Sequence, residues 1–337
     1  MKRRLLPVAL AALLVLAALV SLTLGRYPVS VGEILAYFGR RLFNLNFLND
    51  ADFKRLGTII MEIRLPRIVA ALLAGAALSV SGTAFQAMFI NPLASPGLLG
   101  VLAGASFGAA LGMMISTKWL LVQVSAFVFG LTAAAAAVVM AEFYKGDRLL
   151  LLILSGVVSG SFFTALLSII KYLADPYDQL PAITYWLMGG FYLVDHWTAA
   201  AAGPPMILGM IVIFILSKYL NVLTMGDEEA RTLGVRVKAL RLSLILAATL
   251  ISSLTVAVGG VIGWVGLIIP HAGRLLIGPD NIRLIPVSAL LGATFLLLVD
   301  DVSRLLFPVE IPIGILTALL GIPFFAVILK NARQGWS

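Results

Sequence analysis

Charged side chains make up only 12% of this 337-residue chain, so the few that gather within a turn or two of one another stand out. Arg64-Leu65-Pro66-Arg67 sets two guanidiniums three residues apart at the start of an apolar run. There they could snorkel to a polar interface or receive carboxylates from a partner. Asp300 and Asp301 precede Arg304 by four and three residues, a spacing that permits ion pairs on one helix face. Asp227-Glu228-Glu229-Ala230-Arg231-Thr232-Leu233-Gly234-Val235 reads as a short amphipathic helix, with Asp227 as its cap and acids at its positive end. Gly234 stands where a glycine ends such a helix, and Leu233 and Val235 would be left exposed unless another protein covers them.

Other reactive chemistry is absent from the sequence. There is no cysteine, and the only histidines are His196 and His271, so thiolate and histidine-rich metal sites are not expected. No phosphate-binding G-x-x-x-x-G-K-[ST] loop, H-E-x-x-H zinc motif or G-x-S-x-G elbow occurs. The reading is a protein that is not an enzyme, with no catalytic, metal-binding or cofactor-binding residues of its own. Few acids fall inside the apolar runs, too few for a proton-coupled carrier, so an energy source on another polypeptide is expected.

The elements that position these residues are membrane helices. Hydrophobic residues make up 61% of the chain and the mean hydropathy is +1.05, which excludes a soluble domain. The net charge of +8 is dispersed rather than clustered, so no nucleic-acid partner is expected. The apolar runs are long and continuous, which favours helices over a β-barrel. They predict spans near 5–24, 60–89, 97–116, 119–142, 149–173, 197–217, 240–258, 261–277, 285–304 and 312–330, the first retained rather than cleaved. Basic residues at Lys2, Arg3, Arg4, Lys145, Arg148, Lys218, Arg231, Arg236, Lys238, Arg241, Arg274, Arg283, Lys330 and Arg333 place both termini in the cytoplasm. The polar interlude 26–58 then lies outside, and 221–239 inside.

Three further segments carry more than a span requires. Asn91-Pro92-Leu93-Ala94-Ser95-Pro96-Gly97-Leu98-Leu99-Gly100 must be a non-helical connector, either a tight turn or part of a gate. Gly259-Gly260-Val261-Ile262-Gly263-Trp264-Val265-Gly266 permits close helix packing or a broken helix. Within 149–173, Ser155 and Ser159 lie four residues apart and share a face. Phe162 and Thr164 follow them.

Arg64–Arg67, NPLASPGLLG, GDEEARTLGV, GWVGLIIPHAGRLLIG and EIPIGILTALLGIPFF, in this order and spacing, resemble the FecCD-type permease subunits of ABC importers for iron chelates, haem and vitamin B12, a family with a molybdate branch. The resemblance implies an all-α integral membrane protein of about ten transmembrane helices, a single permease domain over 1–337 with type II ABC importer architecture, in a prokaryotic plasma (inner) membrane. It implies a second copy of the chain, two ATPase subunits that bind ATP and Mg, and an external substrate-binding protein. Asp227, Glu228, Arg231, Leu233 and Gly234 match the coupling segment that docks on the ATPase. Arg64, Arg67 and Arg304 match positions that receive acids of the binding protein, so reversing their charge should weaken docking and spare the fold. Ser155, Ser159, Phe162 and Thr164 would line the translocation path. The expected cargo is an iron–siderophore or haem complex, with cobalamin or molybdate and tungstate as alternatives within the family and a secondary carrier as the alternative outside it.

Overall fold

The computed structural model describes residues 2–45 and 47–332, with the side chains of 5–45 and 47–326. Arg333 and the side chains of Lys2, Arg3, Arg4 and Lys330 lie outside the described residues. Every regular element described is helical. The chain opens with α1 (Lys2–Thr23), α2 (Val31–Phe43) and α3 (Asp50–Gly57). A π-helical turn, Thr58–Arg64, runs without a break into α4 (Leu65–Met88). After a 3-10 turn at Pro96–Leu99 come α5 (Val101–Ile115), α6 (Trp119–Phe143), α7 (Arg148–Leu173), α8 (Gln179–Leu187) and α9 (His196–Ile215). The rest is α10 (Ser217–Leu223), α11 (Asp227–Thr232), α12 (Val237–Gly259), α13 (Val265–Ile277), α14 (Asn281–Leu305) and α15 (Ile313–Ala332).

Each expected span is present as a helix. Seven are long and apolar enough to cross a membrane, and α5, α13 and the described part of α15 are shorter apolar helices. Helix α4 is the hub, buried along nearly its whole length and packed on α14, α12, α9 and α13. Its alanines, serines and glycines let neighbouring backbones come close: a Cβ at Gly82 would overlap the Gly266 carbonyl of α13. Ser252 Oγ donates to Ser81 Oγ at 3.2 Å across the α4–α12 contact. Helices α5, α6 and α7 form a second packed group beside this hub.

Two stretches without an expected span contain helices. Within 26–58, α2 opens on a capping box in which Ser30 Oγ accepts from the Glu33 N–H at 3.2 Å and Glu33 Oε2 accepts from the Ser30 N–H at 2.8 Å. Those bonds from Ser30 hold the Glu33 carboxyl below its ordinary value. At α3 the cap is one-way, Asn49 Oδ1 accepting from the Asp52 N–H at 2.7 Å, and Val29, Tyr37, Leu56 and Ile60 give this cap a small core of its own. In the second stretch, between the spans expected at 149–173 and 197–217, α8 runs from Gln179 to Leu187. The end of the bundle carrying α2 and α3 is called the cap end below, and the opposite end carries α10 and α11.

The glycine-rich stretch after α12 is a broken helix. Gly260 (φ +67°) and Trp264 (φ +68°) turn the chain back before α13 begins. Helix breaks at membrane depth strand backbone groups, and here three breaks satisfy one another. Gly190 N–H donates to Gly259 O at 2.8 Å, Ile313 N–H to Gly189 O at 2.9 Å and Gly314 N–H to Met188 O at 3.0 Å. This node joins the end of α8, the end of α12 and the start of α15.

Candidate functional site

Helix α11 sits on a half-buried ion pair. Asp227 does not cap it; Gly226 occupies that position with φ +117°, and the Asp227 carboxylate instead accepts from Arg241 Nη2 at 2.6 Å. Arg241, on α12, is 2% exposed. The far end of α11 closes as a Schellman motif: Gly234 N–H donates to Arg231 O at 2.9 Å and Val235 N–H to Ala230 O at 3.0 Å, with Gly234 at φ +79°. Ala230 and Val235 tuck inward onto the core. Val235 is therefore covered by its own chain, contrary to the expectation, whereas Leu233 stands 62% exposed beside exposed Glu228, Glu229 and Arg231. The result is a pinned, solvent-facing platform with an acidic start and an apolar end.

Helix α7 has two faces, and the four residues expected along a path divide between them. Ser155 and Ser159 are buried, and Ser159 Oγ donates to the Ala133 carbonyl of α6 at 2.8 Å. Their shared face is a packing face: a Cβ at Gly156, beside them, would overlap the Leu98 carbonyl in the 3-10 turn. Phe162 and Thr164 point away from the bundle. Thr164 lines a cleft of about 620 Å³ together with Gly97, Leu98, Gly160, Ser161 and Ser168, with no charged side chain on its wall. The proline-rich connector therefore forms one wall of this cleft, with Gly100 at φ +78° turning the chain into α5.

At the cap end, the three arginines expected to form an open docking patch are buried; Arg67 and Arg304 are paired with internal acids, and Arg64 is held by backbone carbonyls. Arg64, at the end of the π turn, donates to the backbone carbonyls of Leu22, in the last turn of α1, and Tyr27, just beyond it, and is 4% exposed. Arg67 grips Asp300 with Nε at 3.0 Å from both carboxylate oxygens and Nη2 at 2.9 Å from Oδ1, and reaches Glu310 at 3.0 Å. Arg304 pairs with Asp301, lies 3.3 Å from Asp300 and donates to Ser21 of α1 at 3.1 Å. Ser21 Oγ in turn donates to Asp301 at 2.7 Å. The network ties α1, α4 and α14 into one unit. Reversing the three charges would set acids against Asp300 and Asp301 in a dry interior, so the fold would not be spared as the sequence suggested.

His271 lies edge-on to Phe324 with ring centroids 6.4 Å apart, and no metal-ligating cluster occurs among the described residues.

The model of the FecCD transport family matches residues 13–331. The chain belongs to that family. The permease is 38% identical to a molybdate import system permease of Haemophilus influenzae over 96% of this chain and 94% of that one. It is 36% identical to a hemin transport system permease of Yersinia pestis, again over 96% and 94%. Other relatives are named for iron chelatin and cobalamin import. Among solved structures, a metal-chelate type ABC transporter in an inward-facing conformation superposes with a TM-score of 0.86 at 36% identity, covering 96% of this chain and 98% of that one. The permease thus has the all-helical, multi-pass architecture of an ABC import permease.

Two functional groups escaped the sequence reading. Arg241 looked like one more basic residue near a span end, and nothing in its surroundings announces a partner fourteen positions back at Asp227. Glu310 was read only as part of a motif, yet it supplies the most exposed of the carboxylates held by Arg67.

Proposed function

We propose that this permease is the membrane subunit of an ATP-driven importer of a metal chelate, an iron–siderophore or haem, working as a homodimer with two ATPase subunits and an external binding protein in a prokaryotic plasma membrane. The observation that carries the cargo class is the uncharged cleft along α7. Its wall of Gly, Ser, Thr and small apolar groups offers weak contacts everywhere and no charge that would trap a bulky complex in transit. ATP and Mg would be held by the ATPases.

The α11 platform supports the partner assignment. An exposed leucine at the end of a short acidic helix suits insertion into a groove on another protein, and the Asp227–Arg241 pair would carry its displacement into α12. Lys145, Arg148, Lys218, Arg231, Arg236 and Lys238 all lie near this end, which by the positive-inside rule is cytoplasmic. At the cap end, acids of the binding protein would reach the arginines by exchange with internal acids. Glu310, at 26% side-chain exposure, is the first to be displaced, whereas Asp300 is fully buried.

The test is ATP-dependent uptake into proteoliposomes holding the permease, its ATPase and its binding protein, comparing a ferric siderophore, haem, cobalamin and molybdate. Uptake of a ferric siderophore or haem supports the proposal. Uptake of cobalamin or molybdate alone keeps the importer and overturns the cargo, and no ATP-dependent uptake of any of them overturns both.

A further inference from the structure

A second cavity lies apart from the α7 cleft. It is a slot of about 440 Å³ between the cap-end parts of α6, α9 and α12, walled by Leu120, Val124, Phe127, Ala201, Leu254 and Val258. Its rim has a different character. Gln123 Nε2 donates to Thr198 Oγ1 at 3.3 Å across the α6–α9 seam, Trp197 is 72% exposed, and Asp195, the N-cap of α9, is exposed beside it. The Asp195 carboxylate accepts from the Thr198 N–H at 2.8 Å, and the Thr198 bonds hold its carboxyl below the ordinary value, so it is ionised at neutral pH. Lys118 is exposed directly before Trp119 at the same end of α6.

From Trp119 to Phe127 the slot descends roughly 12 Å along α6 at the helical rise. This is the depth of headgroups and the first part of the acyl chains. Tryptophans at span ends mark that interface. A slot open there meets hydrocarbon, and its floor on α12 is recessed behind Ala257 and Val258, both less than a tenth exposed. The rim offers one anion, Asp195, and the exposed cation Lys118 directly precedes the lining residue Trp119 in the chain.

We propose that this slot holds an acyl chain of a membrane phospholipid with a primary-amine headgroup, its ammonium against Asp195 and its phosphate toward Lys118. A zwitterionic amine lipid satisfies both rim charges, whereas an anionic headgroup without an amine sets its charge beside the carboxylate. The apolar wall takes the chain and the rim selects the headgroup.

The full-length permease, reconstituted in bilayers of equal phosphatidylethanolamine and phosphatidylglycerol, tests this by native mass spectrometry of the lipid retained on extraction. Phosphatidylethanolamine should be retained over phosphatidylglycerol by about tenfold, the scale of one charge-assisted hydrogen bond. Asp195→Asn keeps an N-cap acceptor, so the helix survives, and should bring the ratio close to one. Ala201→Trp fills the slot from α9 and should remove retained lipid of both kinds. Val124→Trp repeats the block from α6, so the test stands should either variant fold poorly. Equal retention of the two lipids by the unaltered chain overturns the proposal. So does undiminished retention in the blocked variants, or a change of oligomeric state in them with lipid retention intact, which would make the slot a protein interface.

Discussion

The two ends of the permease use charge in opposite ways. At the cap end, Arg64, Arg67 and Arg304 are each less than a tenth exposed and are held by Asp300, Asp301, Glu310 and the carbonyls at and just after the end of α1. At the α11 end, among the described residues, only Arg241 is a buried charge, against Asp227, while Glu228, Glu229, Arg231 and Leu233 face outward. One end consumes its charges in holding three helices together; the other fixes a platform with a single pair and displays the rest. A motif shows which residue types occur at which spacing, but burial decides whether they serve the fold or a partner.

Breaking the cap-end network should have the largest effect. Asp300→Ala leaves two buried guanidiniums short of a counter-ion and should cost about 3–5 kcal/mol, read as a large fall in the thermal unfolding midpoint or a loss of folded chain. A midpoint within a degree or two of the parent would mean that the network is not structural. Asp227→Ala strands Arg241 in the same way, but Asp227 is one-third exposed and water can reach the site, so about 1–3 kcal/mol is expected together with weaker ATPase binding. Glu310→Gln removes a partly solvated pair and should cost about 0–1 kcal/mol. It sharpens the comparison, because freeing Arg67 should raise affinity for the binding protein by roughly two- to fivefold. A fall in that affinity would instead place Glu310 itself in the interface. Leu233→Asp, on a side chain already facing solvent, should change stability by no more than about 0.5 kcal/mol.

The spans were legible in the sequence because a twenty-residue apolar run has few other uses, and the structure has a helix for each of them, seven of these long enough to cross a membrane. The close of α11 was legible too, since Gly234 and exposed Leu233 follow from local rules. The facing of α7 was not. Its two sides read alike, Ser155 and Ser159 on one and Ser161, Thr164 and Ser168 on the other, and only the approach of Leu98 to Gly156 decides which is packed. The cap-end pairs were half legible. The Asp300–Arg304 spacing foretold an ion pair on one helix, but Arg67 finds Asp300 across 233 positions, a separation no local pattern encodes. The cap helices carried their signal openly in Ser30 and Glu33; the polar composition around them hid it.

The most direct test of the account is the affinity of the Leu233→Asp permease for its ATPase in lipid, with the unfolding midpoint recorded on the same sample. A displayed platform predicts at least tenfold weaker ATPase binding with the midpoint unchanged. ATPase binding at the parental affinity would contradict it, and so would a fall in the midpoint, which would show that Leu233 belongs to the fold rather than to the partner.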